Sequence, residues 1–169
     1  ANQNHLNAQF NLGYIYFKGE FVQQDIKKAI HYFKQAANQN DPAAQCSLGH
    51  IYETSKYDIQ DINKAIYYYT LAADQKYTIA QYNLGMIYKS NKYLQRDINK
   101  AIHYLTLAAN QNHSDAQFKL GVIYESDKYN RRDINKAIHY YTLAADQNNT
   151  VAQFKLGIIY ESDKYIRRD

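Results

Sequence analysis

Apolar side chains recur along the chain with helical spacing, in two alternating kinds of segment. In the first kind, Ala8, Leu12 and Ile15 fall at i, i+4 and i+7, which places them on one face of an α-helix. The second kind carries a stripe with several small side chains: Ala29, Ile30, Phe33, Ala36 and Ala37. Because small side chains let helices approach closely, the pattern predicts packed helix pairs, which we name helix A and helix B.

The whole pattern repeats every 36 residues without an insertion, as the Leu-Gly pairs at 12–13, 48–49, 84–85, 120–121 and 156–157 show. We predict helix A near 6–18, 42–54, 78–90, 114–126 and 150–162, and helix B near 25–39, 61–75, 97–111 and 133–147. One pair cannot bury both of its stripes, so stacked pairs predict an all-α solenoid. Residues 1–169 then form one array of about four and a half repeats. The ends fall inside repeats, which we interpret as part of a longer array.

Residues at the predicted boundaries are those that begin and end helices. Aspartates occupy the N-cap position of every helix B: Asp25, Asp61, Asp97, Asp133 and Asp169. Asp41 followed by Pro42 predicts the start of a helix A. Asparagines after helix B predict left-handed C-terminal residues: Asn40, Asn112 and Asn148. Gly13 is about 1 kcal/mol less favourable than Ala inside a helix. Its recurrence in every copy therefore predicts close contact with a neighbouring helix.

A set of spaced residues carries a family resemblance: Ala8, Leu12-Gly13, Tyr16, Gly19, Val22, Asp25, Lys28-Ala29, Tyr32, Ala36-Ala37 and Gln39. The chain resembles the Sel1-like repeat (SLR) family, relatives of the 34-residue tetratricopeptide repeats. The resemblance implies a right-handed superhelix of antiparallel helix pairs, in proteins that are mostly adaptors and scaffolds. The chain departs from the family in its inter-helix loop, where every copy has an aromatic residue: Phe21, Tyr57, Tyr93, Tyr129 and Tyr165. We expect these rings to pack over the turn.

Five positions of helix A differ between copies, namely 7, 10, 11, 14 and 17 of the first unit, and they share one helical face. In the tetratricopeptide relatives, helix A lines the concave surface. The candidate partner-binding residues on this face are Phe10, Tyr14, Phe17, His50, Glu53, Tyr82, Met86, Lys89, Phe118, Val122, Glu125, Phe154, Ile158 and Glu161. An alternative for position 10 is a place in the core. Position 17, which changes from Phe to Glu to Lys, is predicted to face solvent.

The sequence offers little for catalysis or for cofactor and metal binding. Cys46 is the single cysteine, which excludes an intrachain disulfide and suits a reducing compartment without fixing the location. Asp127, Asp133, Asp163 and Asp169 recur at loop and cap positions. His31, His103 and His139 share one place on helix B without a carboxylate beside them, so we expect a solvated face. No phosphate-binding glycine loop or nucleophile elbow is present. We therefore predict a non-enzyme that has no cofactor.

The charge pattern favours a protein partner. The net charge is only +4, and no apolar run is long enough to span a membrane. The basic loop with Lys128, Arg131 and Arg132 also holds acidic residues, which disfavours nucleic acid. The leading hypothesis is a scaffold or adaptor that binds a peptide or protein along helix A. The alternative is a structural protein whose similar repeats associate end to end into filaments.

Overall fold

A computed structural model describes residues 3–57, 59–92 and 95–166. These residues form nine α-helices: α1 (Gln3–Lys18), α2 (Ile26–Ala37), α3 (Pro42–Glu53), α4 (Ile62–Asp74), α5 (Thr78–Lys89), α6 (Ile98–Ala109), α7 (Ser114–Glu125), α8 (Ile134–Ala145) and α9 (Thr150–Ile166). Short 3₁₀ turns follow α3 at Ser55–Tyr57 and α7 at Asp127–Tyr129. Odd-numbered helices are of type A and even-numbered helices of type B. The predicted all-α class and repeating helix pairs are confirmed.

Two compact units divide the chain, Ala1–Leu84 and Gly85–Asp169, with the boundary inside α5. Each unit has its own buried residues, which come from the stripes that the sequence pattern identified. In the first unit the largest include Phe33, Leu48, Ile51 and Tyr69, and in the second they include Leu105, Leu120, Ile123 and Tyr141.

The aspartates before each described helix B are N-caps, as predicted. The Asp25 carboxylate accepts the backbone N–H of Lys28 at 2.9 Å. The same bond forms at Asp61, Asp97 and Asp133, in each case at 3.0 Å. Asp169, the fifth predicted cap, lies outside the described residues. These caps satisfy backbone donors that a helix start would otherwise leave unpaired, and they fix where helix B begins.

The turns after helix B adopt the predicted left-handed conformation. Asn40 has φ 69°, Asn112 has φ 60° and Asn148 has φ 63°. Lys76 takes the same place in the second copy with φ 62°, although it has no side-chain amide to favour the conformation. The residue after each turn closes it, as where the Asp41 N–H donates to the Ala36 carbonyl at 3.2 Å. This hydrogen bond satisfies a carbonyl at the end of helix B.

The recurring glycines of helix A contact helix B of the same repeat. A Cβ added at Gly49 would lie 2.6 Å from the Tyr69 ring, and one at Gly121 would lie 2.5 Å from the Tyr141 ring. Gly13 meets Phe33 and Gly85 meets Leu105 in the same way, whereas Gly157 has nothing within 4 Å. The predicted close approach is therefore present in all four copies whose helix B is described.

Buried glutamines link successive helices in a way that the sequence analysis did not anticipate. The Gln45 side chain is 1% exposed and donates to the carbonyl of Ala37, the last residue of α2. It also accepts a hydrogen bond of 2.8 Å from Gln75 in the turn after α4. Gln117 repeats the arrangement in the second unit, with Ala109 as acceptor and Gln147 as donor. The invariant Ala-Gln step was the signal for this role.

The expectation that each aromatic ring of the inter-helix loops packs over its turn is wrong for the first loop. Phe21 does not pack over its turn, because its side chain is 83% exposed. This loop turns at Gly19, whose φ is +74°, in place of the 3₁₀ turn that follows α3. Where the 3₁₀ turn forms, the ring does pack, and Tyr57 meets Phe17 with ring centroids 6.3 Å apart. Tyr93 and the Tyr165 ring lie outside the described part of the chain.

Candidate protein-binding face

An open pocket of about 320 Å³ lies on the helix-A side of the first unit, between α1, α3 and the start of α5. Its lining is mostly apolar and includes Phe10, Tyr14, Phe17, Cys46, His50 and Ile79. The pocket therefore brings together four of the predicted partner-binding residues, from two successive A helices. Helical spacing placed each on a shared face, and stacking of α3 beside α1 makes that face continuous.

The aromatic residues of the pocket differ in how much of each ring is exposed and how much is packed against other side chains. Phe17 is half-buried and meets both Phe33 and His50, with ring centroids 6.4 Å and 6.1 Å away. Tyr14 is 44% exposed, and its ring stacks on Phe10 with centroids 6.4 Å apart. The ammonium of Lys18 lies 5.5 Å from the centre of the Tyr14 ring. Tyr14 is thus the lining aromatic that is most available to a partner.

Position 10 belongs partly to the core, in agreement with the alternative that the sequence left open. Phe10 packs on Phe33 with centroids 5.6 Å apart, and Phe118 packs on Tyr141 at 5.7 Å. Cys46 is buried at the same position, and burial together with the nearby Glu53 carboxylate raises the pKa of its thiol to about 12. Phe154 is the exception, with 67% of its surface exposed.

Position 17 does not face solvent in two copies, which contradicts the prediction made from its variability. The hydroxyl of Tyr69 donates to the Glu53 carboxylate at 2.9 Å, and that of Tyr141 donates to Glu125 at 2.6 Å. Lys155 also donates to Glu125, at 2.9 Å and 3.1 Å. The reason is that the tyrosine ring of helix B crosses the glycine of helix A and places its hydroxyl beside position 17.

These contacts shift the acidity of the groups involved. Burial alone raises the pKa of the Glu125 carboxyl, but the hydrogen bonds from Tyr141 and Lys155 hold its pKa below the usual range. Burial, followed by the neighbouring glutamate, raises the pKa of the Tyr69 and Tyr141 hydroxyls well above that of a free tyrosine. In both pairs the tyrosine hydroxyl is the donor and the glutamate carboxylate the acceptor.

The remaining candidates lie on α5, α7 and α9. Tyr82 and Met86 are half-buried on α5, as is Val122 on α7. Lys89 is also half-buried, and its pKa is lowered by burial and then by the charges of Lys119, Lys128 and Arg96. Ile158 and Glu161 on α9 are exposed. Apart from Phe118 and Phe154, the candidates of the second unit are therefore aliphatic or charged.

Features expected of a metal site or a membrane segment are not found in the part of the chain that the structure describes. No group of three or more His, Cys, Asp and Glu side chains is arranged there to hold a metal ion. His31, His103 and His139 are exposed on their B helices, each beside a tyrosine ring. No helix of the described residues combines the length and apolarity needed to cross a bilayer.

Similar structures come from bacterial repeat proteins. A Sel1 repeat protein from Oxalobacter formigenes is 34% identical, with a TM-score of 0.81 over 93% of this chain and 64% of that chain. A protective antigen of uropathogenic Escherichia coli with an SLR fold is 27% identical, with a TM-score of 0.81 over 93% of this chain and 34% of that one. The chain thus spans less than two thirds of either protein. No curated protein sequence matches it.

Helicobacter pylori cysteine rich protein B is 25% identical, with a TM-score of 0.61 over 82% of this chain and 99% of that chain. The Sel1 repeat family model matches residues 6–41, 42–77, 78–113, 114–149 and 150–169. Proteins of this family are generally non-catalytic scaffolds for protein interactions. The matches cover nearly the whole chain with the 36-residue period seen in its sequence, and this chain belongs to the Sel1 repeat family.

Proposed function

We propose that this chain is a non-catalytic scaffold that binds a peptide or protein partner along its helix-A face. The pocket of the first unit is the observation that carries the proposal. It is open, mostly apolar and lined by aromatic side chains from successive repeats. Aromatic residues dominate binding energetics because they bury a large area with few rotatable bonds.

The size of the pocket indicates what it receives. Its volume of about 320 Å³ is at the lower end of the range for ligand sites, roughly 300–1,000 Å³. This space suits one large apolar side chain of a peptide. Complete burial of such a side chain contributes about 1.5–3 kcal/mol. Peptide residues beyond it would then lie along the helix-A face, where variation between copies supplies different chemistry.

The chemistry of the pocket supports binding over catalysis. The Cys46 thiol stays protonated at neutral pH because burial raises its pKa to about 12, and the thiolate is the nucleophilic form. His50 is exposed at the rim and meets the Phe17 ring, an arrangement suited to contact with a peptide.

Selection of a random peptide library on the protein tests the proposal. Selected peptides should share a large apolar residue and should bind the Tyr14→Ala/His50→Ala variant at least about tenfold more weakly. Tyr67→Ala is the matched control, because Tyr67 is an exposed tyrosine on helix B, away from the pocket. Equal binding to wild type and the pocket variant, or equal loss in the control, would refute the proposal.

A second candidate function is end-to-end self-association, which the similarity of the repeats favours, because each repeat presents the kind of surface on which its neighbour stacks. Phe154 on α9 occupies the position at which Phe10 packs on helix B of its own repeat. An exposed apolar face can meet a different face of another copy and generate an open filament. Light scattering across a concentration series measures this directly. Growth in mass that Phe154→Lys abolishes would support assembly, and a constant monomer mass would exclude it.

A further inference from the structure

Four cationic side chains in the second unit gather on one part of the helix-A face. Lys89 ends α5 and Lys119 lies on α7, while Arg96 and Lys128 come from the loops after these helices. The Arg96 guanidinium lies 5.4 Å and the Lys128 ammonium 5.9 Å from the centre of the same ring, that of Tyr129. The Arg96 Nε–H also donates to the carbonyl of Lys89 at 3.2 Å.

These four cations form no ion pair with a described carboxylate, whereas six other described cations do. Each described helix B has a lysine paired with its capping aspartate, as in Lys100 with Asp97, and Lys155 pairs with Glu125. Within residues 3–57, 59–92 and 95–166, no carboxylate lies in ion-pair distance of Lys89, Arg96, Lys119 or Lys128. Lys89 is half-buried, and its pKa is lowered by burial and then by the other three cations. The cluster is therefore an unneutralised positive site.

The arginine of this cluster carries a charge that its structural hydrogen bond does not need. At the equivalent position in the first two repeats, Gln24 donates to the Phe17 carbonyl at 2.6 Å, and Gln60 donates to the Glu53 carbonyl at 2.7 Å. Arg96 makes the same link with its Nε–H, and its terminal nitrogens have no acceptor among the described residues. A neutral amide suffices for this hydrogen bond, so the charge of Arg96 serves its contact with the Tyr129 ring and remains available to an anionic ligand.

We propose that Lys89, Arg96, Lys119 and Lys128 form an anion-binding patch that receives the acidic side chains of a partner's peptide segment. The inference rests on the proposed function, because it names the chemistry of the partner that the helix-A face binds. Half-buried apolar side chains of Met86 on α5 and Val122 on α7 lie on the same helix faces as the lysines. A segment that alternates acidic and apolar residues is complementary to both the cations and these apolar side chains.

The surrounding charges favour a peptide over a nucleic acid. Glu125 and Asp127 follow Lys119 on α7 and in its loop, so a continuous phosphate backbone would meet carboxylates as well as cations. Discrete carboxylates of a peptide can reach the cations and leave the acidic positions uncontacted. Charge complementarity of this kind sets specificity and the association rate of a complex.

Biolayer interferometry with synthetic probes tests the patch. The probes are a biotinylated peptide of alternating Glu and Leu, its Gln–Leu counterpart and an oligothymidine of matching length. The Glu–Leu peptide should bind wild type, and each lysine removed in Lys89→Gln/Lys119→Gln should weaken binding by about fivefold. Lys27→Gln/Lys34→Gln is the matched control, because it removes the same net charge from the exposed side of α2.

Several outcomes would overturn the inference. They are no binding of the Glu–Leu peptide to wild type, equal binding of the Gln–Leu peptide, equal loss in both double variants, or tighter binding of oligothymidine. Thermal unfolding of each variant establishes that it is folded. Library peptides that depend on Tyr14 but not on Lys89 and Lys119 would refute the patch and keep the proposed function. Library peptides that are insensitive to Tyr14→Ala/His50→Ala would refute the proposed function itself.

Discussion

The Tyr69 hydroxyl on α4 donates a hydrogen bond of 2.9 Å to the Glu53 carboxylate on α3. Two repeats later, Tyr141 and Glu125 form the same pair at 2.6 Å. The other two copies have Phe33 with Phe17 and Leu105 with Lys89 at these positions. A tyrosine on helix B therefore occurs with a glutamate on helix A, whereas an apolar residue on helix B occurs with a phenylalanine or a lysine on helix A. Position 17 varies because its partner varies.

Removing the carboxylate of such a pair should destabilise the fold. Glu125→Ala leaves the buried Tyr141 hydroxyl without its acceptor and Lys155 without its ion pair, and we expect a loss of about 1–3 kcal/mol in the free energy of unfolding. Glu161→Ala is the control at the equivalent exposed position, and it should change stability by less than about 0.5 kcal/mol. Urea denaturation measures both. Equal effects would contradict a structural role for the pair.

The recurring glycines allow a comparison between two copies. A Cβ at Gly121 would lie 2.5 Å from the Tyr141 ring, so Gly121→Ala should cost about 1–3 kcal/mol through displacement of a buried aromatic ring. Gly157 has nothing within 4 Å, and Gly157→Ala should stabilise the protein by up to about 1 kcal/mol through helix propensity. Thermal or urea unfolding gives the sign of each change. The same sign for both would show that close packing does not explain the glycines.

Local rules made most of the fold predictable from the sequence. The capping aspartates, the asparagine turns and the glycine contacts depend on a few neighbouring residues and recur in most of the copies. One sequence therefore supplied several independent examples of each. The 36-residue step then indicated stacking, and the family match agrees with it.

The site was less predictable because it depends on pairs of residues from different helices. Variation at position 17 predicts exposure, whereas Glu53 and Glu125 vary with the helix-B residue that they contact. The prediction that every aromatic ring of the inter-helix loops packs over its turn is wrong for Phe21. The reason is that Gly19 gives the first loop a different backbone from the loop that ends in Tyr57. The charges along the basic loop also do not reveal that Lys89 and Lys119, which lie on separate helices, are close enough to interact electrostatically.

Alkaline pH should weaken the fold through its buried tyrosines. The pKa of Tyr69 and of Tyr141 is raised in the folded state, mainly by burial, from an unfolded value of about 10. Their stabilising contribution is thus complete below about pH 10 and is lost as the pH rises further, by about 1.4 kcal/mol per pH unit for each tyrosine. The lowered pKa of Lys89 acts in the opposite direction, because it makes stability rise with pH, but it comes from one group only.

Urea unfolding of wild type between about pH 9 and pH 11 measures this dependence. The Tyr69→Phe/Tyr141→Phe variant should be less stable at neutral pH but should lose stability less steeply above pH 10, whereas the exposed Tyr67→Phe should keep the wild-type slope. A slope that the double variant leaves unchanged would mean that other groups govern alkaline unfolding.

The tyrosine–glutamate pair should be transferable to the repeat that lacks it. Leu105 packs on Gly85 at the place where Tyr69 packs on Gly49, with a nearest distance of 2.6 Å to the added Cβ in both cases. Leu105→Tyr alone should cost about 1–3 kcal/mol, because its hydroxyl would meet the Lys89 side chain without an acceptor. Adding Lys89→Glu supplies the acceptor and also lowers the density of positive charge there.

A double-mutant cycle of Lys89→Glu with Leu105→Tyr should therefore give a favourable coupling of about 1 kcal/mol in the free energy of unfolding. The same cycle with Leu105→Phe is the control, because phenylalanine fills similar space without a hydroxyl and should show little coupling. Additive effects in the tyrosine cycle would mean that the pairing of positions 17 and 33 is not sufficient to form the bond. Because Lys89→Glu also removes a cation of the proposed patch, the double variant should bind the Glu–Leu peptide more weakly than wild type even where its stability is restored.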